Sequence, residues 1–444
     1  LLFAFLLIIP NVDLEEPLGA SKVWQKERRI AINAYKKIAV LMVVALCLPI
    51  YFGGTARFGV CGEHDGEIQV AVSVDETSYT PFPLDGKVVW IGSENGQSKV
   101  FCMDLETGGK RQLGGGGDQL PSFSTDNFIY ASENYVVWLD QQLMQTKKKN
   151  SIWFADIRAG EQKTVDLPAG YRAYVNVSGG IATWPDYMSK DLGIYFCDLT
   201  RLGEKPKRIH KFKNSLQRAY PVTNGKVVVY EVRNSSNLDL MMYDIEKDKV
   251  VPIDDGPDHQ YLAVIQGDFV YYQEQSYQGD RAINRIKSYN LATGEKFYVM
   301  NPVPDEVMSI DLMNCPDSNF PVMLVSGFSK KRYTQLLGFD QAKNSVFEIS
   351  GKVFGRLNIA GGCSYGNNVV WTQNTPENPE DFDLMLFNYG EDKTPEILVP
   401  GTRRIKAEVR HWTRIYKNLV TWAELDEFDW DIYAIQIKKG EYTK

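Results

Sequence analysis

The sequence predicts an all-β fold: an eight-bladed β-propeller of four-stranded antiparallel blades, with a seven-bladed ring as the alternative. Three observations carry this. An aliphatic residue followed four positions later by Asp, Asn or Gln recurs at Asp104, Asp156, Asp198, Asp244, Asn290, Asp340, Asn388 and Gln436, at intervals of 42 to 52 residues. A second apolar run stands 14 to 19 residues upstream of these positions and ends in an aromatic in every copy but the sixth. Gly- and Asn-rich turn signals separate the runs.

Each blade is read in order. The first strand is short, as in Tyr174–Val177, and ends at turns such as Asp85-Gly86, Ser178-Gly179, Asn224-Gly225 and Gln266-Gly267. The second is the apolar run: Val88-Val-Trp90, Val136-Val-Trp138, Ile181-Ala-Thr-Trp184, Val227-Val-Val-Tyr230, Phe269-Val-Tyr271, Val322-Met-Leu-Val325, Val369-Val-Trp371 and Leu419-Val-Thr-Trp422. Runs rich in β-branched and aromatic residues, bounded by turn formers, make buried strands. The third strand begins at Val100, Ile152, Ile194, Leu240, Ile286, Leu336, Leu384 or Ile432 and ends on the reference position. A hairpin signal such as Glu106-Thr-Gly108 or Ala292-Thr-Gly294 follows, and then a fourth strand such as Lys163–Leu167. An acid recurring in a turn slot accepts backbone N–H groups two or three residues on, so these residues hold bends and carry no chemistry.

Ring closure is legible too. Little chain follows Gln436, while Ile68–Val74 alternates apolar and polar residues and belongs to no repeat. That segment is expected as the outer strand of the last blade, which removes an exposed edge. The sixth copy, Leu336 to Asp340, is weak on both strands, and its absorption elsewhere gives the seven-bladed alternative.

Of the 444 residues 44% are hydrophobic and 24% charged, as in a globular chain with a sizeable core. The net charge of −7 with interspersed signs excludes a nucleic-acid footprint, and four His residues leave little for a His-based metal centre. Residues 1–37 hold an apolar start and a basic segment with Lys22, Lys26, Arg28, Arg29, Lys36 and Lys37. Residues 38–54 are apolar and uncharged, 55–66 form a linker, and 67–444 the propeller. A basic stretch before an apolar one orients a membrane anchor with its basic side in the cytoplasm. The expectation is a retained signal anchor, with a cleaved signal peptide as the alternative. Either places the propeller on the extracytoplasmic side, periplasmic or at the cell surface.

Cys102 and Cys197 sit on third strands as small buried hydrophobes, and spacing alone leaves a Cys315–Cys363 bridge conceivable but open. Asn176-Val-Ser178 and Asn234-Ser-Ser236 match the glycosylation acceptor pattern. Gly362-Cys-Ser364-Tyr-Gly366, with His411 downstream, matches a nucleophile elbow, but it leads into a propeller strand where an elbow needs a helix. Gly114–Gly117 has no helix behind it to cradle phosphate.

Two surface features remain. Acidic residues Glu377, Glu380, Asp381 and Asp383 in repeat seven, and Glu424, Asp426, Glu427, Asp429 and Asp431 in repeat eight, fall between second and third strands. Asp426, Asp429 and Asp431 are the weak Ca²⁺ candidate; a solvated acidic face is the plainer reading, and no other metal and no cofactor is implied. The corresponding loops of repeats two and six are basic (Lys147–Lys149; Lys330, Lys331, Arg332), a polarity that suits docking to a protein. Around the starts of first strands stand Arg172, Tyr174, Arg218, Tyr220, Tyr261, Arg356, Arg410 and Trp412. First strands are innermost, so these residues are expected at the channel mouth, binding a peptide, carboxylate or sugar or else packing between blades.

Val369-Val-Trp371 with Asp383–Phe387, and Trp422 with Trp430–Tyr433, make residues 67–444 resemble the TolB-like propellers of exported and cell-surface proteins. The α/β domain that precedes the propeller in TolB is absent here, and eight repeats stand where six are usual. The resemblance implies a non-enzymatic binding platform: a membrane-anchored extracytoplasmic scaffold or accessory subunit with membrane or cell-surface protein partners. The alternative is a propeller enzyme acting on glycans, or a quinoprotein-like dehydrogenase, whose repeats Tyr289–Lys296 resembles. The Trp after Thr-Gly and the paired cysteines of that family are missing.

Overall fold

The computed structural model describes residues 67–437 apart from 72–77, 95–96, 118–128, 141–149, 168–174, 188–189, 202, 214–218, 235–236, 330, 355–358, 376–381, 401–412 and 427–428. Residues 1–66, with the expected anchor, basic segment and linker and with Cys47 and Cys61, lie outside the described residues. Among the described residues no helix is long and apolar enough to cross a membrane.

The strands form eight antiparallel sheets, so the repeat count and the four-stranded blade both hold. The innermost strands are Ser78–Leu84, Ile129–Ser132, Asn176–Ser178, Val222–Thr223, His259–Gln266, Val307–Leu312, Ile359–Tyr365 and Arg414–Tyr416. The sixth repeat makes its own blade and carries an additional short strand, Val353–Phe354, paired to its third. This disposes of the seven-bladed alternative. The last blade takes its outer strand from Glu67–Ala71, which pairs antiparallel with Asp429–Gln436.

Eight buried apolar clusters occur among the described residues, one between each pair of neighbouring blades. Period-two alternation of the second strand produces them. Trp90, Trp138, Trp184, Trp371 and Trp422 face the preceding blade, while Val89, Val137 and Ala423 face the following one. A strand buried on both faces needs a continuous apolar run, which explains the Val-Val-Trp pattern.

Six of the eight reference residues accept backbone N–H bonds at their turn. Asp104 accepts from Thr107, Asp156 from Arg158 and Ala159, Asp198 from Thr200, Asp244 from Lys247, Asn290 from Ala292 and Thr293, and Asp340 from Lys343, at 2.8–3.1 Å. Asn388 departs: its backbone N–H donates to Asp392 at 2.6 Å, and its side chain bonds Asn368.

Two local expectations are corrected. Asn176 is buried, and its Oδ1 accepts the Thr223 N–H at 2.9 Å, so it is no glycosylation acceptor in the folded chain. The described acids of repeat eight lie in strands rather than a loop: Leu419–Asp426 and Asp429–Gln436 form one hairpin in which Asp426 pairs with Asp429. Asp431 is buried and accepts from Gln69 Nε2 at 3.5 Å.

Candidate functional site

A cavity of about 590 Å³ lies on the channel side of the innermost strands, within the range of small-ligand pockets. Phe82, Tyr130, Asn176, Cys363 and Arg414 line it from blades one, two, three, seven and eight. They occupy one slot of the repeat. Their strand partners are Val89, Val137, Thr183, Val370 and Thr421, the residues immediately before Trp90, Trp138, Trp184, Trp371 and Trp422. Where the repeat demands packing it repeats one residue type; this slot holds five chemistries.

Ser132, Ser364, Tyr365 and Tyr416 add a second layer beside the turns that lead to the second strands. Blade six closes the wall differently. Its first and second strands are joined by residues 313–321, and Met313–Asp317 of this loop line the cavity. Elsewhere that connection is two or three residues long. The loop is fastened to blade seven: Gly366 N–H donates to the Asp317 carbonyl at 2.8 Å, Asn319 N–H to the Gly366 carbonyl at 2.9 Å, and Asn319 Nδ2 to Asn367 at 2.8 Å. Gly362 permits the approach, since a Cβ there would stand 2.6 Å from Met313 Cε.

The electrostatics are mixed. The Arg414 guanidinium lies 5.3 Å from the Phe82 ring centre, and its Nη1 donates to the Thr413 carbonyl at 3.0 Å. Burial, and then the charge of Glu133, raise the Asp317 carboxyl above its ordinary value. Tyr365 and Tyr416 meet edge to face at 5.1 Å, and burial raises the Tyr416 phenol to about 12, so it is a hydrogen-bond donor at neutral pH. The hydroxyls of Ser132 and Ser364 are both buried; that of Ser364 lies beside Cys315, and that of Ser132 has no hydrogen-bond partner among the described residues. A buried polar group without a partner is costly unless water or a ligand satisfies it.

The sequence placed the mouth at the opposite ends of the first strands. Arg172, Tyr174, Arg218, Arg356, Arg410 and Trp412 lie outside the described residues. Tyr220 is exposed and Tyr261 half-buried, and neither lines the cavity. Tyr130, Arg414, Asp317, Tyr365 and Tyr416 were not singled out as site residues, although the slot partnering the residue before each tryptophan marks two of them. Ser364 does belong to a site, but as a strand residue facing the cavity. Gly362–Gly366 is the end of Ile359–Tyr365 and its turn, with no elbow and no helix. Most of the oppositely charged loops lie outside the described residues. Among those described, no group of three or more His, Cys, Asp or Glu is placed to hold a metal.

No protein-family model matches the chain, and no curated protein does. Solved structures with a similar fold include one from a study of two prolyl endopeptidases, at 11% identity and a TM-score of 0.50 over 73% of this chain. This chain spans about half the length of that protein, 50%. The propeller domain of the trilobed protease from Pyrococcus furiosus is similar at 12% identity, covering 72% of this chain and 100% of that one, TM-score 0.45. Oligogalacturonate lyase from Vibrio parahaemolyticus is similar at 11% identity, covering 86% of this chain and 96% of that one, TM-score 0.46.

These likenesses are to the fold. They correct the expectation that the chain is not an enzyme: a similar propeller occurs in the structure from the prolyl endopeptidase study, so a non-catalytic assignment does not follow from the architecture.

Proposed function

We propose that the protein is a binding propeller that takes a short peptide segment of a protein partner into its channel cavity. The observation that carries this reading is the buried hydroxyl of Ser132, without a hydrogen-bond partner among the described residues, on the wall of an aromatic-lined cavity. A main-chain amide of an extended segment would supply the partner of Ser132, and Phe82, Tyr130, Tyr365 and Tyr416 would hold the segment's side chains. Arg414 and Asp317 give the same cavity a cation and a carboxyl, suited to the two polarities of a peptide. The edge-to-face tyrosines and the Arg414-covered face of Phe82 offer few flat faces for stacking a sugar ring.

The order of basic residues 22–37 and apolar residues 38–54 supports a propeller held at a membrane on its extracytoplasmic side. Its partners would then be membrane or cell-surface proteins.

The test is a titration of immobilised short peptides and, in parallel, oligosaccharides with the full chain. Peptide binding that weakens about thirtyfold on Tyr416→Ala or Arg414→Ala, the loss of a strong interface contact of about 2 kcal/mol, supports the reading. Retention of glycans alone, or peptide binding indifferent to both substitutions, overturns it.

A further inference from the structure

Cys315 and Cys363 face each other across the junction of blades six and seven, with Sγ atoms 3.8 Å apart, and both line the cavity. They are inequivalent. Cys315, in the loop, is buried and receives the Ser364 N–H at 3.2 Å. Cys363, on the innermost strand, is half-buried and closer to solvent. Its thiol is held below the ordinary value first by the hydrogen bond from Cys315, then by the charge of Arg414 and the backbone N–H groups of Ile415 and Ser364. Cys102 and Cys197 lie between blades on third strands, with thiols pushed up by burial. One thiol is therefore poised and reachable, a second stands behind it, and two more are buried apart from both.

We propose that Cys363 and Cys315 form a thiol–disulfide exchange site in the channel wall, with Cys363 the attacking sulfur and Cys315 the resolving one, and a small soluble disulfide as the oxidant. The Cys363 thiolate attacks one sulfur of the disulfide, forming a protein–reagent S–S bond and releasing the first thiolate, which takes up the Cys315 proton. Cys315 then attacks the Cys363 sulfur as a thiolate, closes the Cys315–Cys363 bond and expels the second thiolate, which takes up from water the proton that Cys363 had released. The protein loses two electrons and the disulfide gains them. Reactivity follows from thiolate character and access together, and the attacking sulfur has both. The bond ties loop 313–321 to the seventh blade beside Arg414, so the cavity wall is covalently closed in one redox state and free in the other. This site does not depend on the cavity's ligand being a peptide.

The test uses the full chain, reduced, freed of reductant and exposed to bis(2-hydroxyethyl) disulfide, with peptide mapping by mass. Wild type is expected to lose two hydrogens at Cys315–Cys363 and retain no reagent. Cys315→Ser should accumulate the mixed disulfide at Cys363, and Cys363→Ser should react at least tenfold more slowly at Cys315. Circular dichroism establishes that both variants are folded, and the wild-type map stands without them. Reagent retained on wild type, bridges mapping to other cysteines, Cys102 and Cys197 reacting as fast as Cys363, or no reaction at all would each overturn the proposal.

Discussion

Seven blades turn from first to second strand in two or three residues, whereas blade six takes nine, 313–321, and spends them on the channel. The short turns bring no side chain of their own into the cavity lining, although that of blade seven anchors the long loop. In blades three and four they touch, with a Cβ on Gly179 meeting Gly225 Cα at 2.8 Å, and both glycines hold positive φ. The long loop carries Cys315 and Asp317 into the cavity and binds blade seven through backbone hydrogen bonds. Regularity marks what holds the ring together, and departure from it marks where the ring presents chemistry.

The largest effects are expected on the regular side. Trp371 is fully buried between blades six and seven, and Trp371→Ala should lower unfolding free energy by about 3–5 kcal/mol, read by denaturant titration. A comparable loss is expected from Lys287→Met in blade five. Lys287 bonds Asp254 at 2.9 Å and also contacts Glu274, and both buried carboxylates would lose a charged partner.

Glu231 gives a pH-dependent test of the same scaffold. Burial raises its carboxyl to about 7, although it accepts the Leu262 N–H at 2.7 Å. Below its ordinary value of 4.5 the folded and unfolded chains are both protonated there. Between that value and about 7 only the folded chain keeps the proton, so stability falls as pH rises, by about 3 kcal/mol in all. Glu231→Gln should therefore melt higher than wild type at pH 8 and show no gain at pH 4.5; an equal gain at both would refute the assignment.

Smaller still is the turn slot. Asp156→Ala removes acceptors from Arg158 and Ala159 N–H and should cost about 1 kcal/mol, while binding in the channel stays unchanged. If any of these scaffold changes abolished binding while the ring stayed folded, the division between regular and irregular parts would fail.

The repeat made the regular part readable. Aliphatic-to-acid spacing, apolar runs ending in Trp and the orphan segment Ile68–Val74 are local signals of strands, turns and closure, and they fixed eight blades and the paired ends. The candidate site was harder to read because its residues are far apart in sequence and meet only through ring geometry. Sequence placed first strands innermost but put the mouth around their starts, whereas the cavity lies toward their other ends. That placement depends on the 313–321 loop folding inward, and the weak sixth repeat was its only trace. Burial in a strand likewise overrode the local pattern at Asn176, which reads as a glycosylation acceptor although its side chain is buried and accepts the Thr223 N–H.

The most direct test replaces Asn314–Asp317 by two glycines, which leaves Phe320 in its aromatic cluster with Phe347 and Tyr389. Peptide affinity and unfolding free energy would be measured against wild type and a Cys315→Ser control. The account predicts a ring as stable as wild type to within about 1 kcal/mol, since loop length costs little, and peptide binding lost while the control retains it. Undiminished binding by the shortened loop would contradict it.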